Sequence, residues 1–283
     1  MPASSARPPL SPAGSSARRN DPERFLAALT APAGRREHLF AVLALEHEIA
    51  RTREVVSDAT LGWIRLQWWE DAVTALEEGR PPATAEIVPA LAAAIAGGGV
   101  RPDSLRAMIA GRQLDLEEDP PATLEGLEAY ARATGGAVGQ ALAEALGQGA
   151  AGAAAVEVGT GWALVGILRA LPFRARRNEV FLPADEFARA GLTPHDIAAG
   201  RGHDQLAPIV RRVADRAAAR FAAARALGPP RALRPALLPA RLARAHLRRL
   251  AGAGWNPFAP ALQHPDGLRA LRVAWSAWTG RWW

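Results

Sequence analysis

The fold of this chain is decided by residues 159–173, which read GTGWALVGILRALPF. Small and apolar side chains lie on more than one face of any helix formed by this stretch, and such helices lie in the middle of a bundle. The stretch is too short to span a membrane, and Arg169 and Pro172 interrupt it. We therefore predict the central helix of a helical protein and no transmembrane helix.

The sequence on both sides of this stretch is also helical in character. Asp21-Pro22-Glu23 predicts an N-cap with proline in the first turn, and Asp58 predicts a second helix start. Period-two alternation is confined to residues 179–182, so we expect no sheet. We predict one all-α domain over residues 21–283. Small residues such as Gly135, Gly139 and Gly166 would allow close helix packing or, alternatively, leave room for a cavity.

Residues 1–20 differ from the rest, since they are rich in Ser, Ala, Pro and Arg and contain no acid. We predict a disordered N-terminal tail; in a eukaryote the same composition would suit an organelle transit peptide.

The composition is that of a folded globular protein, with 49% hydrophobic and 22% charged residues in a chain of 283. Cysteine is absent, which excludes disulfides and thiolate metal sites. All 34 basic residues are arginine, and the net charge is +6. Because most arginines alternate with Asp and Glu along the helices, we expect solvated faces rather than a nucleic-acid surface.

Common catalytic and metal motifs are absent from the sequence. There is no GxSxG elbow, no GxxxxGK phosphate loop and no HExxH pair. We expect the histidines to be structural or exposed: His38, His47, His195, His203, His246 and His264.

Four stretches, taken in order, carry a more specific signal: residues 38–58 (HLFAVLALEHEIARTREVVSD), 62–73 (GWIRLQWWEDAV), 111–147 (beginning GRQLDLEEDPP) and 159–183 (ending RRNEVFLP). Together they resemble the squalene/phytoene synthase family. The resemblance implies an isoprenoid-synthase-type helical bundle around a central cavity. It also implies two aspartate-rich motifs holding Mg²⁺, which bridges the diphosphates of two prenyl substrates during head-to-head coupling.

This chain departs from the family pattern at the metal motifs themselves. A DDxxD pattern falls on residues 50–54, where one carboxylate remains, and NxxRDxxxD falls on residues 166–174, where both aspartates are lost. Arginine in place of acid makes the local potential positive and repels a divalent cation. We therefore predict no catalytic residues and no metal or other cofactor, with Mg²⁺ reserved for the enzyme alternative below. The vestigial metal and diphosphate positions are Ala50, Arg51, Glu54, Gly166, Ala170 and Arg174.

The run from Arg65 to Trp69 points further within the family. With HEIARTREVVSD before it, it resembles a non-catalytic branch of the family, whose best-known member serves the assembly of respiratory complex I. The plain alternative is two core tryptophans with a capping arginine. We predict a catalytically degenerate protein that binds a protein partner, such as a complex I subunit. We expect it in the cytoplasm or peripheral to the inner membrane, and in the mitochondrion of a eukaryote.

Two alternative functions stay open: a prenyltransferase that joins isoprenoid diphosphates, and a metal-free carrier of an anionic lipid or prenyl phosphate. For the carrier we expect Arg51, Arg169 and Arg174 to face one another across the former metal site. Asp115 either pairs with an arginine of the cavity wall or ends a solvated helix. The ligand-binding candidates are Arg51, Arg65, Arg169, Arg174, Tyr130 and Asp115.

The C-terminal stretch places Trp275, Trp278 and Trp282 at i, i+3 and i+7, on one stripe of a helix. We expect this stripe to dock the last helix on the core, and a membrane interface is the alternative.

Overall fold

The computed structural model describes residues 9–56, 58–82, 85–97, 99–117, 120–264 and 266–282, and in these ranges it contains helices and no strand. The all-α prediction is thereby confirmed. A turn of π-helix, Arg132–Gly136, joins α8 to α9. The α-helices of these ranges are α1 (Pro12–Asn20), α2 (Pro22–Ala28), α3 (Ala33–Ala50), α4 (Thr52–Val55), α5 (Ala59–Glu77), α6 (Val88–Ala96), α7 (Pro102–Gln113), α8 (Leu124–Ala131), α9 (Ala137–Ala145), α10 (Ala153–Ala175), α11 (Ala184–Arg189), α12 (Pro194–Ala198), α13 (His203–Ala226), α14 (Arg234–Leu237), α15 (Pro239–Gly252) and α16 (Arg269–Thr279).

The central helix predicted from residues 159–173 is α10. It packs against α13, α9 and α15, and its Leu164, Val165 and Leu168 are fully buried. By length and apolar composition α10 is the one helix of the described residues that could cross a membrane. Its contacts on several sides are nevertheless those of a core helix of a bundle.

Glycine allows α10 to meet the π-turn and α9 backbone against backbone. A Cβ on Gly139 would lie 2.1 Å from the carbonyl oxygen of Ala155, and a Cβ on Gly135 would lie 2.3 Å from that of Gly159. No side chain fits at such distances, so this contact requires glycine. Gly166 differs, because nothing lies within 4 Å of a Cβ placed there. The predicted close packing therefore holds for the first glycines and not for Gly166.

Both predicted helix starts are confirmed. The Asp21 side chain accepts from the backbone N–H of Arg24 at 2.9 Å, and that of Asp58 accepts from Leu61 at 3.1 Å. Each aspartate satisfies a backbone N–H that would otherwise lack a partner in the first helical turn.

The predicted disordered tail is wrong for residues 12–20, which form α1. Ser11 caps this helix by accepting from Gly14 N–H at 3.0 Å, and Ala13 and Ala17 are buried against α3. The small residues that suggested disorder instead let α1 approach α3 closely, near Phe40. Residues 1–8 of the predicted tail lie outside the described residues.

Candidate functional site

The first vestigial motif lies where α3 ends. Ala50 is the last residue of α3, and the next residues form the short α4. Glu54, the one carboxylate of the motif, is exposed, and the Arg51 guanidinium, one residue past the end of α3, lies 3.6 Å from the carboxylate of Glu48 in α3. The five positions of the motif therefore offer a single carboxylate, and it is exposed to solvent.

The second vestigial motif lies on α10. Arg169 donates to Glu23 of α2 at 2.5 Å, and the Arg174 guanidinium lies 5.3 Å from the ring centre of Phe181. Ala170 between them carries no ligand atom. Within the described ranges, no three His, Asp or Glu side chains lie close enough together to hold a metal ion. The residues present at the two motifs do not fit a magnesium–diphosphate site.

The expectation that Arg51, Arg169 and Arg174 face one another is wrong. Arg51 lines a groove beside α1 and α5, Arg169 lines a separate hollow beside α15, and Arg174 lies against Phe181. The cause is helical geometry, since a separation of five residues on α10 turns the side chain by about 140° around the axis.

A chain of ion pairs lies inside the bundle, between α2, α3 and α7. Glu46 of α3 accepts from Arg24 of α2 at 2.9 Å and from Arg112 of α7 at 3.1 Å. Arg112 also donates to Asp115 at 3.1 Å, and Arg24 bonds the cap of its own helix, Asp21. These five side chains are between 11% and 16% exposed. We call them the buried ion network.

Tyr130 of α8 extends the buried ion network. Its hydroxyl donates to Asp115 at 2.5 Å and accepts from Arg112 at 3.3 Å, and burial raises the pKa of this hydroxyl. Its ring meets Phe181 edge-on at 4.7 Å, on the side where Arg174 lies. Asp115 thus has the arginine partner that the sequence suggested, and Tyr130 contributes a hydrogen bond as well as packing.

The charges of the buried ion network nearly cancel, since three carboxylates meet two guanidinium groups. Burial alone would raise the pKa of Glu46, but the attraction of Arg24 and Arg112 outweighs it and lowers that pKa. The carboxylate is therefore ionised at neutral pH, and the negative charge inside the bundle is met by arginine.

Side chains leave little space around Arg24. Two small hollows beside it, of about 10 Å³ each, are lined from α2, α9, α10 and α14 among other elements. A hollow of that volume holds about one water molecule, so the space beside Arg24 is far too small for a prenyl chain.

Sequence reasoning missed Arg24, Glu46 and Arg112. A signal was present in α3, because Glu46 lies three residues after Leu43 and three before Ile49, both of which are buried. A charged residue on the buried stripe of an amphipathic helix needs a partner, and that partner lies on another element. Its identity could not be read from the sequence.

A polar groove of about 690 Å³ lies at the surface between α1, α3 and α5. It is lined by three arginines, Arg19, Arg51 and Arg65, and by two acids, Glu48 and Glu86. Glu48 accepts from Arg65 at 2.7 Å. No described residue accepts a hydrogen bond from the buried Nε of Arg51 or Arg65. The groove therefore carries more positive charge than its own acids balance.

The run from Arg65 to Trp69 divides between the groove and the core. Trp69 is 2% exposed, whereas Trp68 is 36% exposed and meets the Trp69 ring edge-on at 4.8 Å. Arg65 pairs with the carboxylate of Glu48 and also donates to the backbone carbonyl of Glu48 at 3.3 Å, in the last turn of α3, so it caps that helix end. The alternative of two core tryptophans with a capping arginine is therefore right for Trp69 and Arg65 but not for Trp68.

Residues 17–279 of this chain match the sequence profile described as squalene/phytoene synthase. The chain belongs to the squalene/phytoene synthase family. Its fold is similar to that of a dehydrosqualene synthase crystallised with a ligand, with a TM-score of 0.80 and 18% identity over 95% of this chain and 94% of that one. A squalene synthase from Alicyclobacillus acidocaldarius is similar in fold with a TM-score of 0.75 and 21% identity, over 87% of this chain and 94% of that one. These likenesses confirm the isoprenoid-synthase fold.

Two kinds of curated protein are similar to this chain in sequence. Complex I assembly factor 6 of Mus musculus is 27% identical over 93% of this chain and 80% of its own length, and that of Bos taurus is 28% identical over the same shares. Phytoene synthase 3 of Zea mays is 30% identical over 65% of this chain and 46% of its own length.

Proposed function

We propose that this squalene/phytoene synthase family member has lost metal-dependent prenyl transfer and acts by binding a protein, in the assembly of respiratory complex I or a related membrane process. The observation that carries the proposal is the state of the two motifs, where Ala50, Arg51, Ala170 and Arg174 stand in place of carboxylates. The similarity to complex I assembly factor 6 over nearly the whole chain supports the same conclusion.

An exposed apolar stripe beside the first motif supports a binding role. Leu61, Ile64 and Trp68 lie at i, i+3 and i+7 on α5 and are 45%, 61% and 36% exposed. Val55 of α4, 51% exposed, lies on the segment just before it. Large apolar side chains grouped on one helix face of a soluble domain mark a surface that binds a partner.

The test is affinity capture from detergent-solubilised native membranes with the full chain, read by mass spectrometry. We expect complex I subunits in the captured fraction, and their loss with Leu61→Ser/Ile64→Ser. The matched control is Phe173→Ser/Leu227→Ser, which removes two similarly exposed apolar side chains elsewhere. Capture without complex I subunits, or equal capture by both variants, would contradict the proposal.

A metal-free anion carrier is a second candidate, and the polar groove favours it. A phosphate group there would accept from the exposed guanidinium N–H groups of Arg51 and Arg65, whose side chains are 40% and 30% exposed, since guanidinium groups bind oxyanions in a bidentate manner. Thermal unfolding with pyrophosphate or farnesyl phosphate would reveal binding, because a hundredfold excess over Kd stabilises by about 2.7 kcal/mol. The carrier predicts a shift that Arg65→Gln abolishes and that the exposed control Arg80→Gln retains. No shift, or the same shift in both variants, excludes it.

A further inference from the structure

The positive charge of the chain is concentrated in its last fifth. Residues 229–283 contain nine arginines and one carboxylate, Asp266, whereas residues 1–228 contain 25 arginines and 27 carboxylates. The two parts carry net charges of +8 and −2, which together give the +6 of the chain. The alternation of arginine with acid, from which we expected solvated faces, does not extend to the C-terminal part.

The last helix turns an apolar stripe away from the bundle. Val273 and Ser276 are buried, and they fix α16 to the bundle through one face. On the other side Leu271, Trp275 and Trp278 are 67%, 57% and 79% exposed. The two tryptophan rings lie 5.4 Å apart, centre to centre.

The expected docking of the tryptophan stripe on the core is therefore wrong for Trp275 and Trp278, and right for Trp282, which packs against the core. The helix docks through its smaller residues, Val273 and Ser276. Two indoles are thus left largely in solvent, although removing their apolar surface from water would be favourable.

Arginines lie beside the exposed stripe. Arg241 of α15 and Arg272 of α16 line an open hollow of about 540 Å³ together with the exposed leucines and tryptophans. On α15, Arg241, Arg244 and Arg248 recur at i, i+3 and i+7, so they share one side of the helix. Burial and the like charges of Arg248, Arg241 and Arg225 lower the pKa of Arg244.

We propose that α15 and α16 form a membrane-docking face, defined by Arg241, Arg248, Leu271, Trp275 and Trp278, that binds the surface of an anionic lipid bilayer. Tryptophan is favoured at headgroup depth, leucine in the acyl boundary, and arginine beside lipid phosphates. An α16 of 11 residues, held to the bundle by its inner face, lies in the plane of the bilayer. This proposal uses other residues than the proposed function and stands apart from it.

Nucleic acid and acidic proteins also attract arginine, but the apolar part of the face favours lipid. Leu268 and Leu271 are 53% and 67% exposed beside the tryptophans, and leucine gains little from stacking on a base. An anionic bilayer buries the leucine and tryptophan side chains, and its phosphates bind the arginines. It therefore matches both the apolar and the basic part of the membrane-docking face.

The test is flotation of the full chain with vesicles of phosphatidylcholine alone and of phosphatidylcholine mixed with phosphatidylglycerol. We expect binding to the anionic vesicles, with a blue shift of tryptophan emission and quenching by brominated acyl chains. Trp275→Ser/Trp278→Ser should abolish the quenching. Arg241→Gln/Arg248→Gln should weaken binding by about 25-fold, at roughly fivefold for each arginine near the surface.

The matched control for charge is Arg53→Gln/Arg189→Gln, two exposed arginines elsewhere, which should retain most of the binding. Far-ultraviolet circular dichroism and thermal unfolding verify that every variant is folded. The proposal is overturned if the wild type ignores anionic vesicles, if the control loses as much affinity as Arg241→Gln/Arg248→Gln, or if a single-stranded RNA competes the vesicles away.

Discussion

Arginine has opposite surroundings in the buried ion network and in the membrane-docking face. In the network Arg24 and Arg112 each bond two carboxylates and are at most 15% exposed. In the C-terminal part, nine arginines share a single carboxylate, which pairs with Arg272 at 2.8 Å. The guanidinium groups of the network are therefore paired within the chain, whereas residues 229–283 carry eight more arginines than carboxylates.

The different surroundings of arginine indicate a stabilising role for the buried ion network and a binding role for the membrane-docking face. A buried charge must be paired inside the protein, since leaving it unpaired costs several kcal/mol. An unpaired charge at the surface costs little stability, because water solvates it. A surface cluster of one sign is therefore compatible with the fold and is free to attract a partner of opposite charge. We therefore expect changes in the network to alter the free energy of unfolding, and changes in the membrane-docking face to alter binding.

The largest expected effect comes from Arg112→Met. It leaves Glu46 and Asp115 without their shared partner, and breaking a buried pair in this way costs about 3–5 kcal/mol. Urea unfolding measures the loss. Arg106→Met is the matched control on the same helix, because Arg106 pairs with Glu77 at the surface and should cost at most about 1 kcal/mol. Equal losses would mean that the network contributes no more than a surface pair.

A somewhat smaller loss of stability is expected from Glu46→Gln. The free energy of unfolding should fall by about 2–3 kcal/mol at neutral pH, because hydrogen bonds to a charged group are lost. The pKa of Glu46 is lowered in the fold, so its charge stabilises above the ordinary carboxyl pKa and this contribution is lost as the pH falls through the lowered value. The difference between wild type and variant in unfolding free energy should therefore shrink below about pH 4. A difference that stays constant from neutral to acid pH would show that the charge is irrelevant.

Backbone contact in the interior gives a third comparison. Gly139→Ala places a Cβ against the carbonyl oxygen of Ala155 and should destabilise by about 1–3 kcal/mol. Gly166→Ala meets open space within a helix and should stabilise by roughly 0.5–1 kcal/mol. Chemical denaturation of both variants checks the opposite signs, and two losses of similar size would contradict the assigned packing.

The smallest effect on stability is expected from Trp275→Ser/Trp278→Ser. Both side chains are mostly exposed, so the free energy of unfolding should change by no more than about 0.5 kcal/mol. Differential scanning calorimetry measures it. A loss of several kcal/mol would place these tryptophans in the core and remove the contrast between the two regions.

Much of the fold could be predicted from the sequence, because helix signals are local. Asp21 and Asp58 mark helix starts by their own side chains, and the all-round apolar pattern of residues 159–173 marks the centre. The tail was mispredicted because the same alanines that suit disorder also suit tight packing when a partner helix is present. That partner, α3, is not visible in the local pattern.

The candidate site could be predicted only in part. The loss of the metal carboxylates is a matter of residue identity and is read directly from positions 50–54 and 166–174. Which arginines meet depends on the direction of side chains on different helices, which the sequence does not give. Arg51, Arg169 and Arg174 do not meet, whereas Arg24 and Arg112 share the carboxylate of Glu46. Exposure of Trp275 and Trp278 likewise depended on which face of α16 the bundle covers.

The central claim of the proposed function is that the two vestigial motifs no longer support metal-dependent prenyl transfer. Its most direct test is to incubate the protein with farnesyl diphosphate and Mg²⁺ or Mn²⁺ at millimolar concentration, and to measure pyrophosphate release and prenyl products. We predict no release above the metal-free control, and no heat of metal binding in parallel calorimetry, because the residues at the two motifs do not fit a magnesium site. Metal-dependent release of pyrophosphate with formation of a coupled C30 product would contradict the account.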